Sequence, residues 1–248
     1  MNRFTKIASA IATFLIILGV VCIGAAFAMG LTWEEFVDMA KQGKFSIQFG
    51  EYLESSSLND NLEFDEACEN LEIELAAGTL EIYYDNVEHI QIEQNGVKGF
   101  KSYIDGKTLH IEGGRKLGIN QVDMSVTVIL PENMKFEKVD LEVGAGKALI
   151  DDLIADKVSV EVGAGEAVIT GLTVKELQAE VGAGKLNLEL AGKETDYNYN
   201  LDCGIGEIQI GDNSYAGLGK EQRTENTGAN KQIDLECGVG EIIINFTE

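Results

Sequence analysis

Three stretches, LEVGAGKALI from Leu141, VEVGAGEAVI from Val160 and AEVGAGKLNL from Ala179, place Gly-Ala-Gly between two short apolar alternations, and Gly144, Gly163 and Gly182 stand 19 residues apart. A fixed period near twenty constrains a chain more than any composition does. Each unit is too small to bury its apolar side alone, so successive units must stack as coils that bury it on one another. The motif recurs as LDCGIGEIQI from Leu201 and LECGVGEIII from Leu235, and an earlier copy, IELAAGTLEI from Ile73, reaches its glycine at Gly78. Within a unit, Val158, Val160 and Val162 fall on one face, and Ala167 and Ile169 take the same phase beyond Gly163-Ala164-Gly165. Period-two alternation of this kind marks half-buried strands.

The glycine pairs are therefore expected to be corners between strands: Gly78, then Gly144 and Gly146, Gly163 and Gly165, Gly182 and Gly184, Gly204 and Gly206, and Gly238 and Gly240. Glycine supplies positive φ and close backbone approach without a Cβ penalty. A phosphate-cradling loop is the alternative, but G-x-G-x-x-G is absent and a strand, not a helix, follows each pair. The segment from Asp212 to Lys231 is polar and lengthens the last interval, so it is expected to leave the stack as a loop.

Just before each corner an acid occupies the outward position: Glu74, Glu142, Glu161, Glu180, Asp202 and Glu236. Coils in register about 4.8 Å apart line the last five up as a carboxylate column, with repulsion of roughly 1 kcal/mol between neighbours in water. One reading is a solvated acidic face, relieved by a second column in which Lys147, Glu166, Lys185 and Glu207 alternate in sign. The other is a cation site on Glu142, Glu161, Glu180, Asp202 and Glu236, whose hard oxygens suit calcium. No other cofactor is indicated. Cys203 and Cys237 replace the inward Val143, Val162 and Val181 and are expected side by side as buried thiols, with a bond as the alternative. Cys68 has no evident partner.

Enzyme chemistry finds little support. His89 and His110 are the only histidines, no G-x-S-x-G occurs, and no Cys or His spacing suits zinc. The acid pair Asp151-Asp152 and the acids between Asp60 and Glu66 are the remaining candidates, of the kind glycosidases use. With 42 acidic against 19 basic residues and a net charge of −23, the chain should repel phosphate backbones and anionic headgroups. No nucleic acid partner is expected.

No charged residue lies between Lys6 and Glu34, so residues 7–33 can span a membrane. Arg3 and Lys6 before the span, and Glu34 and Glu35 after it, put the N-terminus in the cytoplasm and the rest outside. Cleavage near Ala28 at Ala26-Phe27-Ala28, with secretion, is the alternative. Thr32 to Glu35 has capping-box spacing, and Trp33, Phe36, Val37 and Ala40 then share one helical face. The expected organisation is a cytoplasmic tip and transmembrane helix over 1–31, a juxtamembrane helix and acidic linker over 32–66, and an all-β, single-chain parallel β-solenoid over 67–248.

Val126 to Leu153, VTVILPENMKFEKVDLEVGAGKALIDDL, followed by further G-x-G rungs, resembles the bacterial putative adhesin or toast-rack family, a domain of unknown function in cell-envelope proteins. Leu130-Pro131, which holds the one proline of the sequence, matches the strand that leads into the repetitive part of that family. The resemblance implies a single-chain β-solenoid, often behind an N-terminal membrane helix and sometimes beside envelope-stress regulators. It supplies no catalytic residue. The function expected is a non-enzymatic, membrane-anchored module outside the cell that contacts an envelope protein or surface ligand. A ligand-free structural spacer and a carbohydrate-active solenoid enzyme are the alternatives.

Overall fold

The computed structural model describes residues 52–53, 59–64, 68–97, 100–113, 124–216 and 219–247. The expected transmembrane segment, the Ala28 cleavage site and the juxtamembrane helix lie outside them. Among the described residues no helix is long and apolar enough to cross a membrane.

The chain is all-β. Its first strands are β1 (Tyr52–Leu53), β2 (Asn59–Phe64), β3 (Asn70–Leu75), β4 (Thr79–Asp85), β5 (Ile90–Asn95), β6 (Lys101–Asp105), β7 (Thr108–Gly113) and β8 (Ser125–Pro131). The repetitive part follows as β9 (Phe136–Val143), β10 (Lys147–Asp151), β11 (Ala155–Val162), β12 (Glu166–Leu172), β13 (Glu176–Val181) and β14 (Lys185–Ala191). The last six are β15 (Tyr197–Cys203), β16 (Glu207–Ile210), β17 (Asn213–Ala216), β18 (Lys220–Thr224), β19 (Lys231–Cys237) and β20 (Glu241–Thr247). They form two ten-stranded sheets, ordered β1-β6-β7-β3-β9-β11-β13-β19-β15-β18 and β17-β16-β20-β14-β12-β10-β4-β8-β5-β2. Each G-x-G corner carries the chain from the first sheet to the second, giving a coil of two strands.

Alternation explains the core. Val143, Val162 and Val181 occupy one inward column in parallel register, and Ala148, Ala167 and Leu186 form its counterpart across the corner. These residues and the inward positions of the other coils make one buried apolar cluster. Val162 thus packs between Val143 and Val181, like on like.

The expectation of a wholly parallel solenoid in chain order is corrected at both ends. The sheets are mixed: β5 and β6 lie antiparallel on β8 and β7, and β17 and β18 lie antiparallel on β16 and β15. β1 and β2, from the segment read as linker, add a further antiparallel strand to each sheet. The polar 212–231 segment therefore does not leave the stack. It supplies β17 and β18, because a last coil with a bare strand edge would template pairing with other chains.

Coil order changes too. β19 pairs with β13 on one side and β15 on the other, and β20 lies between β14 and β16. The coil that comes later in sequence is thus inserted beneath the earlier one. Five residues, Gly192 to Asp196, join β14 to β15, against three between β10 and β11 or between β12 and β13. Two extra residues reach about 7 Å, enough to pass over one rung of about 4.8 Å. A 3-10 turn at Glu194–Asp196 lies in this connection. Tyr197 then anchors the skipped-over coil: its ring is fully buried, its hydroxyl lies 3.4 Å from the carbonyl oxygens of both Val174 and Ala191, and Lys231 Nζ sits 4.7 Å from the ring centre.

Of the two reasons expected for glycine at the corners, close backbone approach is the one that governs. Among the expected corner positions only Gly78 takes a positive φ, at 112°. The others are required by contact with the neighbouring coil. A Cβ on Gly146 would stand 2.5 Å from the carbonyl oxygen of Gly78, and Gly165, Gly184, Gly206 and Gly240 would each press on the equivalent oxygen of the adjoining coil. Corners pack this closely because the amide ladder runs through them: Ala164 N–H donates to Gly144 O at 2.8 Å and Glu166 N–H to Gly146 O at 3.0 Å.

Candidate functional site

The outer face of the first sheet carries the acids. Register places Glu112, Glu74, Glu142, Glu161, Glu180, Glu236 and Asp202 in one ladder across seven parallel coils. Glu221 of β18 continues it at one end and Lys101 of β6 faces Glu112 at the other. All of the acids expected there are brought together, but the order differs. Glu236 stands between Glu180 and Asp202 because β19 is the inserted strand.

Glu112 was not among the expected acids. The sequence around it reads LHIEGG, with no residue between the glycines, so the corner pattern is missing. Its position in β7, one residue before Gly113 and aligned with Glu74, is the equivalent one. A Cβ on Gly113 would meet Val97 Cγ1 at 2.8 Å.

Near the middle of this face is a depression of about 360 Å³ lined by Glu161, Glu180, Glu236, Asp202, Asp234 and Gln178, among others. Burial, followed by the charges of Glu180 and Asp202, holds the Glu236 carboxyl above its ordinary range. The ladder offers one carboxylate per coil along a line. Among the described residues no group of three His, Cys, Asp or Glu side chains is gathered as a metal centre would be.

The second sheet shows how the stack manages charge where signs alternate. Lys147 lies 3.5 Å from Glu166, and Lys185 pairs at 2.7 Å with Glu241, not with the expected Glu207, again because β20 is inserted. Glu207 accepts a hydrogen bond from Ser214 Oγ of the capping strand β17 at 2.6 Å. On the first sheet, Lys157 bridges to Glu176 at 2.7 Å.

Of the acids weighed for catalysis, the Asp151-Asp152 pair lies at the end of β10 and in the turn after it. Asp151 accepts the Thr170 hydroxyl at 2.5 Å, while Asp152 sits in a turn at φ 59° beside Gly171. His110 lies 3.3 Å from Glu72 and stacks on Tyr103 at 4.8 Å, and the Tyr103 hydroxyl donates to Glu112 at 3.3 Å. The corner tips are small alanines along the central coils, but Ile205 and Val239 replace them on the last two and are 69% and 65% exposed. Cys203 and Cys237 are in-register neighbours on β15 and β19, both buried and both thiols.

A putative cell adhesion protein from Clostridium sporogenes superposes on this chain with a TM-score of 0.52 at 18% identity, covering 76% of this chain and all of its own. The two proteins share a fold. Putative adhesins from Bacteroides fragilis, at 12% identity and a TM-score of 0.30, and from Parabacteroides merdae, at 11% and 0.28, align over 76% and 78% of this chain and 98% of their own. The fold shared with the Clostridium sporogenes protein agrees with the fold that the resemblance of Val126–Leu153 and the Gly-rich rungs implies. No protein-family profile matches the chain. No curated protein matches it either.

Proposed function

We propose that this chain is a non-enzymatic, membrane-anchored module of the bacterial envelope, held by residues 1–31 with its N-terminus in the cytoplasm. Its β-solenoid domain is displayed outside the cell and contacts an envelope protein or surface ligand. The observation that carries this reading is the broad face of the first sheet, where stacked coils fix one acidic side chain per rung. A face of this kind suits a large complementary surface better than a small molecule, which favours enclosed, mostly apolar pockets. Its charge selects a partner with exposed Lys or Arg, and that attraction weakens as salt rises. Where the partner is an envelope-stress regulator, occupancy of the same face becomes the signal.

Localisation is tested by external protease on intact cells, which should remove the β-domain and leave the N-terminal segment in the membrane fraction. Contact is tested with beads coated in the purified chain and offered to envelope fractions at low and high salt. Adhesion that is lost at high salt, and in the triple variant Glu161→Gln, Glu180→Gln, Glu236→Gln, supports the reading. Equal adhesion by that variant overturns the role of the face, no adhesion by either protein leaves the spacer, and glycan hydrolysis in the same samples restores the enzyme.

A further inference from the structure

The inward column next to the corner reads Gly113, Leu75, Val143, Val162, Val181, Cys237 and Cys203 across seven coils. Both cysteines of this column fall on its last two rungs. They are 34 positions apart in sequence, and they meet where the inserted coil adjoins the terminal coil. The two residues are register partners, and Cys203 Sγ donates to Gly206 O at 3.1 Å. A Cβ on Gly206 would stand 2.6 Å from Cys237 Sγ. The same position one coil lower would meet Val181 Cγ1, so sulfur occupies the place of a valine methyl.

We propose that Cys203 and Cys237 form a reversible disulfide that fastens the inserted coil, residues 231–247, to the terminal coil. Either thiolate attacks the sulfur of an oxidised partner, a small-molecule disulfide or a disulfide oxidoreductase, and expels one thiol. The second cysteine then attacks the mixed disulfide, closes the protein S–S bond and expels the other thiol. The two protein thiols lose two electrons and two protons in all, and the oxidant gains them.

Both cysteines are 1% exposed, so the oxidant reaches them only while residues 231–247 are out of their slot. Burial, and then neighbouring Cys203, pushes the Cys237 thiol up to about 11. That keeps the closed coil in the thiol form and places exchange on the opened one. Directly opposed positions on parallel strands hold their Cβ atoms farther apart than an unstrained disulfide prefers. Strained bridges are the ones that thiol reductants open. The bond is therefore a clasp set by the redox state of the surroundings, and it stands whether or not the outer face binds a partner.

The test is to refold the full chain in detergent over a series of reduced-to-oxidised glutathione ratios, alkylate, and map the peptides by mass. The expected product carries a Cys203–Cys237 link, lighter by two hydrogens, and melts higher than the reduced chain by on the order of 5 °C. Reductant should remove both changes. Cys203→Val and Cys237→Val, which restore the residue of the lower rungs, should melt at one temperature in either buffer. Recovery of both residues as alkylated thiols, or as mixed disulfides with glutathione, at every ratio overturns the proposal. The mapping uses the unaltered chain, so it decides the question even if a variant fails to fold.

Discussion

Replacing Gly146 by alanine tests why glycine recurs at the corners. The new methyl would lie 2.5 Å from Gly78 O and 3.2 Å from Gly78 N, both of them backbone atoms with no rotamer to escape into. Reaching an ordinary separation of roughly 3.5 Å requires the coils to part by about 1 Å. That same oxygen accepts the Lys147 N–H at 2.8 Å, so parting would carry the bond beyond hydrogen-bond range. The lost bond costs about 1 kcal/mol and the overpacking about 1–3 kcal/mol, giving a destabilisation of about 2–4 kcal/mol. Gly163→Ala, whose nearest atom would be 2.9 Å away, should cost less. Gly106→Ala meets nothing within 4 Å but must hold φ 61°, and should cost about 1 kcal/mol. Denaturant unfolding of the three purified variants measures the order. If Gly106→Ala is the most damaging and Gly146→Ala is silent, backbone conformation and not coil-to-coil contact governs the corners.

Glu236→Gln removes a charge set between Glu180 and Asp202 and should stabilise the chain by about 0.5–1.5 kcal/mol at neutral pH and low salt. Because the carboxyl of Glu236 is raised in the fold, the wild type should gain stability as pH falls through that raised value toward the ordinary carboxylate range, and lose it as pH rises again. The gap between variant and wild type should therefore close on acidification, and a variant that melts lower at neutral pH would contradict the ladder. Lys185→Gln should cost under about 1 kcal/mol through its exposed pair with Glu241. A double-mutant cycle should find that coupling with Glu241 and none with Glu207. Replacing residues 213–224 by a short linker should uncover β15 and β16 and shift the chain to larger assemblies on size exclusion, whereas an unchanged elution would show that β17 and β18 are not a cap.

The faces of this fold were legible because strand alternation has a period of two: Val158, Val160 and Val162 could only lie on one side, and Glu161 on the other. The repeat made register legible too, since Glu142, Glu161 and Glu180 share one offset from the corner. Rung order was not. LDCGIGEIQI and LECGVGEIII fit either slot, and nothing in a strand pattern says which coil lies above which. The only trace is the lengthened interval before Gly204, which supplies the reach to skip a rung. The cap stayed hidden for a related reason. Asp212 to Lys231 is polar because its strands close an edge, and polarity with glycine reads equally as an excursion. Positive φ and close approach stayed undivided at the corners, because a sequence shows glycine without showing which neighbour forbids a side chain.

The inserted coil has a consequence for how the chain matures. Residues 213–224 emerge before residues 231–247, so in N-to-C export the terminal coil and its lid are made before the layer that lies beneath them. Until that layer slides in, β13 and β15 each present a naked hydrogen-bonding edge, with a slot one strand wide between them. Any extended segment of matching alternation could occupy that slot, from a second copy or from another exported protein. The hazardous moment in the life of this molecule is thus the interval before its own tail arrives.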